Sequence, residues 1–462
     1  MRKIDSYYYY VSKIRTNIYE TKEGLKVIES VNKNTVEYDF SIVVNGGTYF
    51  EDILNVPQGT AHLLEHLIFG NPNSFLKTKN ALSEYKMGSK KRASFYSNAS
   101  TTHLFLYFFA HGHENAKLRI LKFITSQVLF PEKNISKYLE KERSIVIAEK
   151  NQRKKDEKWS WLQYMKKVFG EEFKNFRRDV LGEIESIEAI TKDDILKYYQ
   201  HIFRADNMAV AVQTSKPLST TEKKVIRDLS VALKPKKPEK PNKTPKNFIP
   251  KYANHTFKNE NARDIFMSIN YFYTLKFDLE TEEDYLNDRL YLFLTDLINK
   301  VSYDYIREQK HLTYSISGIN ENVLFNTKNR GITLSFSFEN FEEVLDSLYE
   351  MIYVEFEKFL MSKRGKRWLN NILSYYIYKT NQKHDPDYAE YIAVEVLDNK
   401  FSKFDYRIAK KAAKSITPEK LLDFAKKFFE IEPIFWINSP YEDEEILKVF
   451  ENHKFHKKFK SR

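Results

Sequence analysis

The residues best suited to chemistry are two histidines and a glutamate within five positions, where residues 62–66 read HLLEH. The flanking residues Gly59, Thr60, Gly70 and Pro72 predict a short helix between them. A spacing of four places His62 and His66 on one face, where both imidazoles can bind one metal ion, with Glu65 beside them. H-x-x-E-H is the inverzincin order, and the alternative is a pair of hydrogen-bonded core histidines.

A metal site needs a third protein ligand, and a second predicted helix offers two candidates. The helix runs from Asn134 to about Arg153, and Glu142 and Glu149 lie seven residues apart on its apolar stripe. Carboxylates are seldom buried without a cation, so a metal ion is a natural partner, the alternative being a salt bridge to a distant Lys or Arg. The chain has no cysteine, so any metal must be bound by His and carboxylates.

The surrounding elements divide the chain into two related halves. The Pro- and Lys-rich segment Lys234–Pro250 predicts an extended linker between a domain at 1–233 and a domain at 251–462. Thr191 and Thr417, 226 residues apart, each precede a predicted helix and then a strand, which indicates an internal repeat.

Composition and charge exclude several classes of protein. With 462 residues, 42% apolar and 30% charged, the chain is neither disordered nor a polytopic membrane protein. The N-terminus lacks the apolar segment of a signal peptide, so we expect a cytoplasmic protein with no membrane partner. The net charge of +12 permits nucleic-acid binding, but the lysines are interleaved with glutamates and no groove-reading motif is present, so we expect no nucleic-acid partner.

The HLLEH motif together with Glu142 and Glu149 resembles the pitrilysin/insulinase family of metallopeptidases, which includes mitochondrial processing peptidase. The resemblance implies that His62, His66 and Glu149 bind Zn²⁺. It further implies that Glu65 is the general base and that Glu142 orients the site.

The resemblance extends to residues that would bind the substrate. Residues 97–100, SNAS, are similar to the edge strand on which peptides add in that family, and Phe69 occupies the place of an apolar residue beside the scissile bond. By this resemblance Phe69, Asn98 and Ala99 bind substrate. Arg307 and Tyr314 resemble a pair that binds substrate and polarises the scissile carbonyl, at the zinc site of a partner chain.

Two departures from the family pattern affect these assignments. The stretch between His66 and Glu149 is longer than usual, and we assign the surplus to the basic loop Lys86–Arg92. A surplus within the helix would instead make Glu142 a rival ligand. At the repeat offset the second half has apolar or aromatic residues near the ligand positions, so we expect no second metal site: Leu292, Phe293 and Tyr376.

These observations predict an α+β fold with two homologous domains, each a mostly antiparallel sheet with helices packed on it. The resemblance implies that the domains form half of a clam-shell chamber. The predicted function is that of a zinc-dependent endopeptidase, which cleaves unfolded peptides or short polypeptides by attack of a metal-activated water with Glu65 as general base. By the resemblance we expect a homodimer or a heterodimer with a related chain. If the basic run Lys150–Lys158 lines the cavity, we expect acidic peptides to be favoured. The alternative is a non-catalytic partner or scaffold subunit of a peptidase complex.

Overall fold

The computed structural model describes residues 1–9, 13–87, 93–129, 132, 135–153, 179–233, 255–258, 262–274, 281–313, 320–323, 329–382, 388–397 and 406–454. The predicted linker Lys234–Pro250, Tyr314 and most of the loop Lys86–Arg92 lie outside these residues. The chain forms two compact units. The first holds the described residues of Met1–Trp159, Phe173–Lys243 and Thr380–Lys403, and the second holds the others.

Among the described residues of the first unit, seven strands form one sheet. They are β1 (Arg2–Tyr9), β2 (Ile14–Glu20), β3 (Lys26–Val31), β4 (Glu37–Asn45), β5 (Phe95–Thr101), β6 (Phe105–His113) and β7 (Met208–Thr214). Their order is β1-β2-β3-β7-β4-β6-β5, so β5 is an edge strand. The β3–β7 pair is parallel and the other pairs are antiparallel.

The helices of the first unit pack on this sheet through alternate strand residues. They are α1 (Tyr49–Ile53), α2 (Thr60–Ile68), α3 (Lys79–Met87), α4 (Lys117–Val128), α5 (Ile135–Arg153), α6 (Ile184–Ala189), α7 (Lys192–Ile202) and α8 (Thr220–Ala232). Phe40, Ile42 and Val44 of β4 share one buried cluster with Leu64 of α2 and Leu121 of α4. Successive side chains of a strand point to opposite faces, so this spacing places one face of the sheet in the core.

The second unit is built on a smaller sheet. Its described strands are β8 (His255–Lys258), β9 (Ile265–Thr274), β10 (Asn320–Val323), β11 (Asn329–Phe338) and β12 (Ile434–Ser439), in the order β10-β11-β9-β12-β8. The remaining helices in the described residues are α9 (Glu282–Ser302), α10 (Phe341–Glu350), α11 (Phe356–Met361), α12 (Lys363–Gln382), α13 (Tyr388–Leu397), α14 (Tyr406–Lys414), α15 (Pro418–Phe428) and α16 (Asp443–Asn452). A π-helical segment, Tyr303–Gln309, continues α9.

The internal repeat predicted from Thr191 and Thr417 is present in the topology of both units. The order β3-β7-β4-β6-β5 matches β8-β12-β9-β11-β10 strand for strand, and the parallel pair β3–β7 corresponds to the parallel pair β12–β8. Thr191 caps α7 by accepting a hydrogen bond from Asp194 N, and Thr417 caps α15 by accepting one from Lys420 N. The two-domain α+β fold is therefore as predicted.

Helix α13 lies between two second-unit segments in the sequence but packs against the first sheet, on β7, β3 and β4. Ser41 of β4 donates a hydrogen bond to Glu390 of this helix, with Oγ and Oε2 2.5 Å apart. The helix thus belongs to the first compact unit. Among the described residues, we find no helix with the length and apolar character needed to cross a membrane.

Candidate metal centre

Helix α2 carries the HLLEH motif, and both of its ends are fixed by side chains. Glu51 is fully buried, and its Oε1 accepts hydrogen bonds from Gly59 N at 3.1 Å and from Ala61 N at 2.9 Å. The carboxylate thereby pairs two backbone donors that a helix N-terminus leaves unsatisfied, where negative charge is also favoured. At the other end, Asn71 Nδ2 donates to the carbonyl oxygens of His66 at 2.8 Å and Leu67 at 3.3 Å.

Two glycines bring α2 against the loop that precedes α6. Gly59 and Gly182 both have a positive φ, of 90° and 82°. A Cβ atom on Gly59 would lie 2.3 Å from the carbonyl oxygen of Leu181, and one on Gly182 would lie 2.6 Å from that of Gln58. Both the backbone conformation and the close approach therefore require glycine.

Helix α5 is held in register by two buried cations. Arg143 donates hydrogen bonds to the carbonyl oxygens of Ile187, Glu188 and Ile190, at the C-terminal end of α6. Lys150 is fully buried, with Nζ 3.1 Å from Asp179 Oδ2. The condition that Lys150 lines the cavity is therefore not met, because its charge is paired inside the protein. Residues 154–158 of the same run lie outside the described residues.

These supports bring two histidines and one glutamate together. Glu149 Oε2 lies 3.3 Å from His62 Nε2 and 3.8 Å from His66 Nε2, and the two imidazole centroids are 4.7 Å apart. Glu142 Oε2 instead faces the opposite nitrogen of His66, Nδ1, at 3.7 Å. Asn71 Nδ2 donates to the other Glu142 oxygen at 3.3 Å. Glu149, and not Glu142, thus faces the space between the two Nε2 atoms.

The three side chains fit a zinc ion in chemistry and in spacing. Two imidazoles and a carboxylate are a donor set that zinc takes in catalytic sites. Four ligand atoms arranged tetrahedrally at about 2.0–2.1 Å from a zinc ion lie roughly 3.3–3.4 Å from one another. One ligand atom from each of His62, His66 and Glu149 lies within 4.8 Å of the others. Small changes in side-chain torsion angles would bring the three ligand atoms within binding distance of one ion.

The electrostatics of the site favour a cation. Burial by itself lowers the pKa of His62, but the hydrogen bonds and charges of Glu149 and Glu65 outweigh it and raise that pKa to about 9. Burial raises the pKa of Glu142, but His66, Asn71 and Lys141 outweigh it, so this pKa lies below its usual value. Carboxylates around two imidazoles therefore create a site that favours positive charge.

An open cavity of about 430 Å³ borders the three side chains. Its wall includes Phe69 and four consecutive residues at the end of the edge strand β5, Asn98 to Thr101. The structure thus brings Phe69, Asn98 and Ala99, predicted from the sequence as substrate-binding residues, to the same cavity as His62, Glu65, His66 and Glu149. An edge strand presents unpaired backbone groups that can pair with an extended peptide.

Several residues that position the site were missed by the sequence reasoning. Thr101 Oγ1 donates to Glu65 Oε2 at 2.8 Å, and Glu65 Oε2 lies 3.5 Å from His62 Nδ1. Glu51, Asn71 and Lys150 hold the helices that carry the site. Asn71 follows the motif helix and could have been recognised as a cap. The others act through contacts between distant segments, which spacing does not reveal.

The second unit carries Arg307 but no metal cluster in the part that the structure describes. Arg307 lies in the π-helical segment, with its guanidinium 4.8 Å from the ring centroid of Tyr303. Tyr314, its predicted companion, lies outside the described residues. Phe293 and Tyr376, near the expected ligand positions, pack edge to face with ring centroids 5.8 Å apart.

Comparisons with known proteins point to peptidases. Residues 189–359 match the model of the peptidase M16 inactive domain, a range that does not include His62, His66 or Glu149. The chain is 23% identical to the probable mitochondrial-processing peptidase subunit beta of Schizosaccharomyces pombe over 197 aligned residues. These residues are 43% of this chain and 41% of that protein. It is 28% identical to the uncharacterized zinc protease YmfH of Bacillus subtilis over 163 aligned residues, and these residues are 35% of each chain. The matches span about two fifths or less of these relatives.

Solved structures share the fold at low sequence identity. The first half of the periplasmic protease PqqL from Escherichia coli superposes with a TM-score of 0.71 at 14% identity, over 95% of this chain and 97% of that one. A protease from Helicobacter pylori superposes with a TM-score of 0.68 at 15% identity, over 93% of this chain and 100% of that one. Together the comparisons support a relationship to the M16 peptidases.

Proposed function

We propose that this chain is a zinc-dependent endopeptidase of the M16 type, in the pitrilysin/insulinase group. One observation carries the proposal: His62, His66 and Glu149 converge beside Glu65, in a cavity bordered by the edge strand β5. The similarity to a relative named as a zinc protease and to peptidase subunits supports it.

In this proposal His62, His66 and Glu149 bind the zinc ion, which when bound supplies a Lewis acid that polarises the scissile carbonyl and acidifies water. Glu65 accepts the proton of the attacking water, as a general base within reach of the same cavity. Glu142, 3.7 Å from His66 Nδ1, orients that imidazole by its charge.

The substrate proposed for this site is an extended peptide. A peptide that adds to β5 as a further strand would pass Asn98 and Ala99 and place one of its carbonyl groups near Glu65. Phe69 would contact an apolar side chain beside the scissile bond. Such pairing requires an unfolded backbone, so unfolded peptides and short polypeptides are the substrates.

We further propose that the chain works with a partner chain, either a second copy or a related one, as half of a closed chamber. Arg307 and Tyr314 would then bind the substrate and stabilise the oxyanion at the zinc site of that partner. The relative from Schizosaccharomyces pombe, named as a beta subunit of a processing peptidase, supports a paired arrangement.

The substitution Glu65→Gln tests the proposed reaction. Gln has nearly the same shape but cannot take a proton, so cleavage of an unstructured peptide should fall by 10²-fold or more, a rough figure for general-base catalysis, while zinc content stays unchanged. Retained turnover would remove Glu65 from the mechanism. Zinc binding without cleavage in the unsubstituted protein, with each candidate partner present, would favour the non-catalytic subunit.

A further inference from the structure

The carboxylate of Glu65 is held through only one of its two oxygens. Its Oε2 accepts the hydrogen bond from Thr101 Oγ1 at 2.8 Å and lies 3.5 Å from His62 Nδ1, and its side chain is about one-tenth exposed. Among the described residues, no side-chain polar contact is made by Oε1. If Glu65 is the general base, Oε1 is therefore the atom that takes the proton.

Thr101 is well placed to fix this arrangement. A carboxylate has no proton of its own to share, so the hydroxyl must donate, which determines the direction of the bond. Thr101 pairs with Leu106 across the β5–β6 ladder, and the adjacent Thr102 N donates to Phe105 O at 2.8 Å. Its β-branched side chain has few rotamers, so the hydroxyl is presented from a rigid point.

We propose that Thr101 is a positioning residue for the general base, which holds Glu65 by Oε2 so that Oε1 faces the water that attacks the bound peptide. This inference rests on the proposed peptidase function. Because Thr101 belongs to the edge strand that would receive the peptide, the same element orients both the substrate and the base. Thr101 itself takes no part in the proton transfer.

The test compares Thr101→Val, which keeps the shape and removes the hydroxyl, with Thr101→Ser, which keeps the hydroxyl. Thr125→Val is the matched control, because Thr125 Oγ1 donates to Leu121 O within α4 and has no contact with the site. We expect Thr101→Val to lower kcat roughly 10- to 100-fold, as for other supporting residues, with KM and zinc content unchanged. Thr101→Ser should restore most of kcat, and Thr125→Val should leave it unchanged.

A second readout does not depend on activity. Denaturation midpoints are measured for Thr101→Val, Glu65→Ala and the double variant in metal-free protein. Thr101→Val should lower the midpoint when Glu65 is present and should have little effect when Ala replaces it, because the hydrogen-bond partner is then gone.

The possible results separate the two claims. Additive midpoints, or an active enzyme whose kcat is insensitive to Thr101→Val, would overturn the positioning role. A loss of zinc in Thr101→Val would overturn it as well, because it would mean that the residue supports the metal. Non-additive midpoints of the metal-free variants, found together with a zinc-loaded protein that cleaves no peptide, would establish the contact but remove the reaction, so the proposal would fail through the proposed function.

Discussion

At the scale of residues, the geometry of the site is defined by the carboxylate that each imidazole nitrogen faces. Both Nε2 atoms face Glu149, while the Nδ1 atoms face Glu65 and Glu142. A metal-binding imidazole needs a partner for its second nitrogen, which fixes the orientation of the ring. The carboxylates of α2 and α5 thus face different nitrogens, although all three lie within one small volume.

The function of Glu142 can be tested by Glu142→Gln, which removes its charge and keeps its size. We expect zinc affinity to fall roughly 10- to 100-fold, because the partner of His66 Nδ1 loses its charge. The measurement is competition for zinc with a chelator. Glu37→Gln is the control, since Glu37, at the start of β4, is exposed and lies outside the site. Equal affinities in the two variants would contradict this role.

At the scale of elements, the motif helix is positioned by contacts at its ends more than by its own sequence. Glu51 caps the N-terminus, Asn71 binds the last carbonyl groups, and the loop with Gly182 packs against Gly59. Helix α5 is fixed in turn by Arg143 and Lys150. The geometry of the His-His-Glu cluster therefore depends on the loop at 179–183, which contacts both helices.

Two glycines allow the energetic cost of disturbing the contact between this loop and α2 to be measured. Gly70 and Gly182 both have a positive φ, of 76° and 82°, but a Cβ on Gly70 meets no atom within 4 Å, whereas one on Gly182 clashes with the Gln58 backbone. Gly70→Ala should lower the free energy of unfolding by about 1–2 kcal/mol through backbone strain alone. Gly182→Ala should cost a further ~1–3 kcal/mol for the clash. Urea denaturation measures both, and equal losses would show that the close approach does not matter.

The sequence was sufficient to predict elements whose signals are local. The HLLEH helix, the Thr191 and Thr417 caps and the repeat appear in the structure. The edge strand at 97–100, which was expected from the family resemblance, is present as well. The buried pairing of Lys150 with Asp179 was not predicted, because it joins segments 29 residues apart that have no shared pattern. For the same reason spacing along one strand could not identify Thr101 as a partner of Glu65.

At the scale of the whole molecule, two units share one topology but differ in chemistry. The first unit has the His-His-Glu cluster, whereas the second, in its described residues, has a Phe293–Tyr376 contact near the corresponding positions. The packing of α13 on the first sheet shows that the first unit needs a segment from the second half of the sequence. We therefore expect that the first 233 residues alone would fold less stably than the intact chain.

The proposed mode of binding restricts substrates to unfolded chains, because a peptide must be extended to pair with β5. One disulfide-bonded protein, compared before and after reduction and alkylation, provides a matched pair of substrates. The unfolded form should be cleaved on the order of 10³-fold faster or more, because only about one molecule in 10³ or fewer of a folded protein is unfolded at any time. Fragments can be quantified by mass spectrometry, and similar rates for both forms would contradict the proposed substrate class.

The central claim is that His62, His66 and Glu149 bind the zinc ion that makes this chain a peptidase. It is tested most directly by elemental analysis of the purified protein and of His66→Ala, beside cleavage of a quenched unstructured peptide with and without a chelator. We predict about one zinc ion per chain, as expected for one His-His-Glu site, and its loss in His66→Ala together with chelator-sensitive cleavage. Protein that contains no zinc, or cleavage that persists in His66→Ala, would contradict it.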